Sequence, residues 1–143
     1  MDLLAAEEEI VARLKDRMGV DLEIRSFPDE VETFDFIAAN GAILVRFNAS
    51  EYAAPVFSGG TTDAILQERS VQWSVTILHR NLKEHSGIYS LLEGVRKALT
   101  GFSLESEPEA TLLFPIRDRF VKREPQKWIY EIVFSHRVSA VEG

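Results

Sequence analysis

Histidine has the widest chemical range of any residue type in this chain, which contains three: His79, His85 and His136. A metal site needs such side chains to converge, as an H-x-x-x-H pair does on one face of a helix. Here the first two stand six positions apart across a predicted strand-to-helix turn, and His136 falls in the last predicted strand. The spacing favours surface or hydrogen-bonded histidines, and we expect neither a bound metal nor a cofactor.

The other reactive groups do not form a recognisable catalytic set. The turn Ser58-Gly59-Gly60 lacks the G-x-S-x-G pattern of a nucleophile elbow, and no phosphate-binding glycine motif occurs. Carboxylates cluster at Glu7 to Glu9 and at Glu105 to Glu109, on a predicted helix and loop that would leave them solvated, without the burial that tunes a pKa. The apolar surroundings of Trp73 and Trp128 favour packing over stacking on a base or sugar. The sequence therefore predicts a protein that is not an enzyme.

The net charge of −7 over 143 residues is concentrated near the N-terminus. Residues 1–35 hold 11 acidic and 4 basic side chains, whereas residues 36–143 hold 12 of each. This balance argues against a protein that as a whole binds the phosphate backbone of nucleic acid, and we expect no sequence-specific nucleic-acid partner. A separate basic cluster consists of Arg117, Arg119, Lys122, Arg123 and Lys127. Two interpretations remain open: a solvated hairpin face, or a contact with an acidic partner such as the first helix of a neighbouring copy.

Composition also indicates the cellular compartment in which the protein is made. The sequence has no cysteine, no run of about eighteen apolar residues and no basic-then-apolar leader at its N-terminus. These features predict a protein without disulfides or membrane association that is made in a cytoplasm.

Hydrophobic periodicity predicts eight elements in the order α-β-α-β-β-α-β-β. The most informative unit is a strand with alternating apolar residues from Val71 to Arg80, followed by an amphipathic helix whose apolar positions run from Ile88 to Phe102. The other predicted elements are a helix Leu3 to Met18, a strand starting at Val20, a helix Asp29 to Ala39, and strands Ala42 to Ala49, Thr111 to Val121 and Lys127 to Val138. We expect one α+β domain over residues 1–143, with a mixed, mainly antiparallel sheet whose helices cover one face.

Two segments depart from ordinary strand or loop composition. Pro115 cannot donate to a strand ladder, so the strand that contains it is predicted to lie at a sheet edge or to carry a bulge. The loop from Ser50 to Thr62 holds apolar and aromatic side chains, namely Tyr52, Pro55, Val56 and Phe57. Either these side chains form a contact surface, or Tyr52 and Phe57 tuck under the loop as a small satellite core.

Two segments also resemble a known family. The stretch GAILVRFNASEY (Gly41 to Tyr52) and the stretch from Glu68 to Phe102 resemble the Mu-like phage tail-completion proteins, which are tail terminators of contractile-tailed phages and related prophages. In the second stretch the pattern G-x-Y-x-L-L-x-x-V-R-x-A-L-x-G-F is formed by Gly87, Tyr89, Leu91, Leu92, Val95, Arg96, Ala98, Leu99, Gly101 and Phe102. The first stretch departs from the family's "VRY" pattern because Phe47 follows Val45 and Arg46.

The resemblance implies a function in assembly. A tail terminator forms a ring, commonly a homo-hexamer, that caps the tail tube and offers a surface to the head–tail connector. It implies as partners further copies of the chain, tail tube and possibly sheath proteins, and the connector, with the protein located in the virion tail. The interface residues that we predict are Tyr52, Pro55, Val56, Phe57, Arg117, Arg119, Lys122 and Arg123. The alternative is a monomeric α+β module that binds a small ligand or a protein, with a cleft near Tyr52, Phe57 and His79.

Overall fold

The computed structural model describes residues 1–19, 22–27, 41–57, 65–80, 86–124 and 127–142. Two helices and six strands follow one another in the order α1 (Leu3–Arg17), β1 (Leu22–Ser26), β2 (Gly41–Tyr52), β3 (Val56–Phe57), β4 (Ile65–His79), α2 (Ser86–Leu99), β5 (Phe114–Glu124) and β6 (Lys127–Glu142). The helix predicted from Asp29 to Ala39 lies outside the described residues. In the described part of the chain, no helix is long and apolar enough to cross a membrane.

The strands form one mixed sheet in the order β1-β2-β4-β6-β5, with the short β3 paired to β4. Only β1 and β2 are parallel, and every other neighbouring pair is antiparallel. This confirms the predicted α+β class. The longest strands, β4 and β6, pair from Ile65 opposite Glu142 to His79 opposite Trp128. At about 3.3 Å per residue they span roughly 50 Å, so one end of the sheet extends beyond the helices.

Both helices pack on the same face of the sheet, which we call the helix face. Helix α1 lies against β1 and β2, and α2 lies against β4 and β6. Asp2 caps α1 by accepting a 3.0 Å hydrogen bond from the amide of Ala5, as capping rules predict. The core between the layers includes Ile10, Leu14, Ile43, Trp73, Ile77, Leu99 and Phe134, all fully buried.

The opposite face of the sheet is also partly buried. Ala42, Leu44, Leu78 and Ile129 form a second apolar cluster there, with Phe27 packed against it. Strand β6 carries apolar residues at both parities, as strands covered on both faces do. Ile129 and Val133, which lie on the face opposite the helices, are both buried.

Gly41 starts β2 in a conformation that other residues rarely adopt. Its φ is +124°, and a Cβ atom built there would lie 2.1 Å from the carbonyl oxygen of Leu78. Glycine is therefore required by both backbone conformation and close strand approach. Gly41 thus marks the start of a nearly central strand.

Several strands are longer than predicted. The strand predicted from Val71 begins at Ile65, and the strand predicted to end at Val138 continues to Glu142. The added segment Ile65 to Ser70 pairs with Arg137 to Glu142, of which Ser139 to Glu142 is also added. Because the two segments form hydrogen bonds with each other, their polar residues lie in strands, although taken alone they would indicate a loop.

Candidate assembly surface

Strand β5 forms an exposed edge of the sheet. Among the described residues it pairs only with β6, and its register shifts between Pro115 and Arg117 and again between Phe120 and Lys122. The prediction of an edge strand or bulge at Pro115 is therefore confirmed. The strand and the residues before it also expose large apolar side chains: Leu112, Phe114, Ile116, Phe120 and Val121 are between 37% and 53% exposed. Exposed apolar side chains on an edge strand favour contact with another chain, whereas Pro115, the two bulges and the charges of β5 are features that limit strand pairing.

The basic residues of β5 are divided between the two faces of the sheet. Register places Arg117 opposite Val133 and Arg119 opposite Glu131, so both lie on the face opposite the helices. Arg123 pairs with Trp128 on the helix face. All three arginines are exposed, and Lys122 is half-buried. The hairpin thus presents positive charge on both sides of its free edge.

One of these arginines also has a structural role. Arg119 donates a 3.0 Å hydrogen bond to the carboxylate of Glu131, which is only 6% exposed. Ser74 donates a second bond of 2.6 Å, and the Arg46 guanidinium lies 4.0 Å away. Burial raises the pKa of Glu131, but the two hydrogen bonds and the arginine charges outweigh it and hold the pKa below its usual value. Glu131 is therefore a buried carboxylate that fixes Arg119 against the sheet.

An aromatic cluster lies on the helix face beside β5. Phe120 contacts the rings of Trp128 and Tyr130 with centroid distances of 6.0 Å and 5.4 Å, and Tyr89 of α2 meets Tyr130 edge-on at 6.3 Å. Arg123 stacks over Trp128 at 5.0 Å. We call these five residues the aromatic shelf. Its outer members Phe120 and Tyr89 are 48% and 47% exposed, and Tyr, Trp and Arg are the side chains enriched in interface hot spots.

The sequence contained only part of the signal for this shelf. Trp128 was predicted to pack, which it does, but the convergence of Tyr89 with Phe120 depends on how α2 sits over β6. Tyr89 also appears in the helix pattern that carries the family resemblance, and this was the available clue.

The second predicted contact region lies at the far end of the sheet. Tyr52 ends β2 and Val56 begins β3; their side chains are 57% and 62% exposed, and Pro55 between them is exposed too. Arg69 stacks over Tyr52 at 5.6 Å while donating hydrogen bonds to Ser50. The backbone of Phe57 pairs with Ile65, and its side chain lies outside the described residues. Tyr52 is therefore not part of a satellite core within the described residues, because its side chain is 57% exposed.

The sheet geometry also rules out the predicted cleft near Tyr52, Phe57 and His79. Tyr52 pairs with Arg69, and His79 lies ten residues further along the same strand. At about 3.3 Å per residue the two positions are some 33 Å apart. They lie at opposite ends of β4 and cannot line one small-ligand site.

The histidines lie in different environments. His136 is 1% exposed and accepts a 3.1 Å hydrogen bond at Nε2 from the indole nitrogen of Trp73. Burial, followed by the charge of Arg69, lowers the pKa of His136 to about 4. His79 packs against Gly87, and burial lowers its pKa as well. His85 lies outside the described residues, within which no three His, Asp or Glu side chains are grouped to hold a metal ion.

The acidic residues of α1 are less solvated than predicted. Glu7 accepts a 3.0 Å hydrogen bond from the Ser26 hydroxyl of β1. Glu9 accepts from the amides of Glu105 and Ser106 and from the Ser106 hydroxyl. Glu8 between them is exposed. Two of the three acids therefore attach α1 to its neighbours, which a count of charges does not reveal.

Comparison with known proteins adds a family and a fold. The family model described as Gp37 protein matches residues 10–143. Among solved structures, a chain from the virion of a native gene transfer agent (GTA) particle is similar in fold, with a TM-score of 0.59 and 16% sequence identity. The match covers 96% of this chain and 95% of that chain. No curated protein matches the sequence.

Proposed function

The chain belongs to the Gp37 protein family, and from that premise we propose that it is a structural protein of a phage-like virion: a tail terminator that caps the tail tube as a ring. The observation that carries the proposal is the fold, which resembles a chain of a gene transfer agent virion over 96% of this chain. The exposed edge of β5 supports it, since a closed ring needs a surface that pairs with a different surface of the next copy.

The composition of the two candidate regions is suited to contacts between proteins. The β5 edge combines exposed apolar side chains with the charges of Arg117, Arg119 and Arg123. Apolar area supplies binding energy, whereas charges at a rim select partner and orientation. We assign this edge to contacts between copies within the ring.

We assign the far end of the sheet, with Tyr52, Pro55 and Val56, to the tail tube or the head–tail connector. It lies at the opposite end of the long strands from the β5–β6 turn, so both contacts can form at once. The ring is proposed as a homo-hexamer, located in the virion tail.

The proposal is tested in a phage or prophage whose copy of this gene has been deleted. We expect tail tubes of irregular length that fail to join heads, and normal particles once the intact chain is supplied. Supplying Tyr52→Ser together with Val56→Ser instead should give a folded protein that does not restore particles. Tubes of normal length that join heads in the deletion strain would refute the proposal.

A further inference from the structure

Among the described residues, the helices do not extend over the whole sheet. Helix α1 covers β1 and β2, α2 covers β4 and β6, and neither helix packs extensively on β5. Phe120 is 48% exposed although it lies on the face that the helices cover elsewhere. Neither α1 nor α2 therefore covers this edge.

The opposite edge of the sheet carries a strand and a helix that fit this gap. Strand β1 pairs only with β2 among the described residues. Because Glu7 bonds to Ser26, the side of α1 that bears Glu7 faces the β1 edge, and Leu4 lies one turn away on that side. Leu4 is 63% exposed.

Strand directions decide how two copies in the same orientation would meet. β1 runs parallel to β2, and each further step from β2 through β4 and β6 to β5 reverses direction. β5 therefore runs opposite to β1. Copies placed side by side in one orientation bring β5 of one against β1 of the next as an antiparallel pair, which a ladder of hydrogen bonds can join.

Glu23 and Lys122 supply one complementary pair of charges on the two edges. Paired residues form a single row across the sheet, namely Glu23, Ala42, Leu78, Ile129 and Lys122. Glu23 of a next copy would thus stand beside Lys122 on the same face, whereas Arg25 falls in the row that ends at Arg119. One carboxylate oxygen of Glu23 is buried and has no hydrogen-bond partner within the described structure. A cation from a neighbouring edge would supply that partner.

We infer that the β1 edge of a second copy of this chain docks on the β5 edge in a head-to-tail manner, extending the sheet by antiparallel strand pairing. The α1 helix of the second copy then covers the aromatic shelf and completes the helix layer. Glu23 of the second copy approaches Lys122. This inference rests on the proposed ring and specifies which surfaces close it.

Cross-linking tests the contact directly because the chain has no cysteine of its own. Arg25→Cys on β1 and Arg117→Cys on β5 are exposed positions on the same face of the sheet. A bismaleimide with a spacer of about 10 Å tolerates a strand shift of two residues. We expect an equal mixture of the two variants, assembled alone or on tail tubes, to give a covalent dimer. Each variant by itself should give none, since a head-to-tail contact never brings two identical positions together.

The matched control replaces Arg117→Cys with Tyr52→Cys, which is also exposed but lies at the far end of the sheet. That mixture should give no dimer. Assembled rings in which Arg25→Cys and Arg117→Cys fail to cross-link would overturn the inference and leave the proposed function standing. A dimer from either variant alone would indicate a two-fold contact and also overturn it. A mixture that assembles neither alone nor on tubes contradicts the proposed function and, with it, this inference.

Discussion

Arg119 on the exposed edge strand donates a hydrogen bond of 3.0 Å to Glu131, a carboxylate buried within the neighbouring strand. This bond connects the candidate assembly edge to the interior of the sheet. A charge at position 119 therefore affects the fold as well as any partner, whereas Arg117 and Arg123 affect the surface alone.

Glu131→Gln should reduce the free energy of unfolding by about 1–3 kcal/mol. The amide keeps the volume of the side chain but loses the charge that Arg119 and Arg46 neutralise. It also has one acceptor oxygen instead of two, so Ser74 and Arg119 can no longer each donate to a separate oxygen. Urea unfolding monitored by tryptophan fluorescence gives the value. Glu93→Gln is the matched control, because Glu93 pairs with Arg96 on the exposed surface of α2 and should leave stability almost unchanged. Equal effects of the two substitutions would contradict the role assigned to Glu131.

The free energy of unfolding should fall as the pH drops from 6.5 towards 4. The folded state holds the pKa of His136 at about 4, below its ordinary value of 6.5, so the unfolded chain binds the extra proton first. Above pH 6.5 the neutral His136 leaves the free energy of unfolding at its full value. By pH 5 the preferential protonation of His136 in the unfolded chain lowers the free energy of unfolding by about 2 kcal/mol.

His136→Gln separates this effect from the titration of carboxylates. The glutamine retains an acceptor for the Trp73 indole but has no proton to gain, so its stability should vary less between pH 7 and pH 5. Chemical unfolding at a series of pH values measures both proteins. Identical slopes for the two would show that His136 does not titrate as described.

Gly41→Ala should destabilise the protein by about 3 kcal/mol or more. The new Cβ would meet the Leu78 carbonyl at 2.1 Å, in a conformation that already disfavours any side chain. Gly19→Ala is the control, since nothing lies within 4 Å of a Cβ atom there, and its effect should stay within about 0.5 kcal/mol. Thermal unfolding distinguishes them, and equal stability of the two variants would remove the requirement for glycine at position 41.

Much of the fold was predictable because alternation and helical spacing are local. Val71, Trp73, Val75 and Ile77 alternate inward, and all four are fully buried as that pattern predicts. The edge position of β5 also followed from one local fact, the missing amide hydrogen of Pro115.

The remaining features depend on contacts between distant parts of the chain. The polar segment Gln67 to Ser70 becomes strand because it pairs with Arg137 to Ala140. Likewise Glu7 and Glu9 look solvated in sequence, yet their partners Ser26, Glu105 and Ser106 lie 19 to 97 positions away. The aromatic shelf arises in the same way, since Tyr89 and Phe120 meet only after α2 has packed on β6.

Charge reversal on the free edge should weaken association without unfolding the chain. We expect Arg117→Glu with Arg123→Glu to weaken self-association about tenfold or more, with a greater loss at low salt than at high salt. Arg119 is left unchanged because its reversal would place a second carboxylate beside Glu131. Arg96→Glu with Lys97→Glu makes the same change in net charge at the end of α2, outside the proposed contact, and should assemble normally. Sedimentation at several salt concentrations compares them, and equal association of the two double variants would refute the role of the edge.

We propose that this chain closes into a ring that caps tail tubes. The most direct measurement combines native mass spectrometry of the purified protein with electron microscopy of tail tubes to which it has been added. We expect one discrete closed oligomer, free or formed on the tube, with additional density at a single tube end and no further tube growth. A protein that stays monomeric and leaves tubes uncapped and still growing would contradict the account.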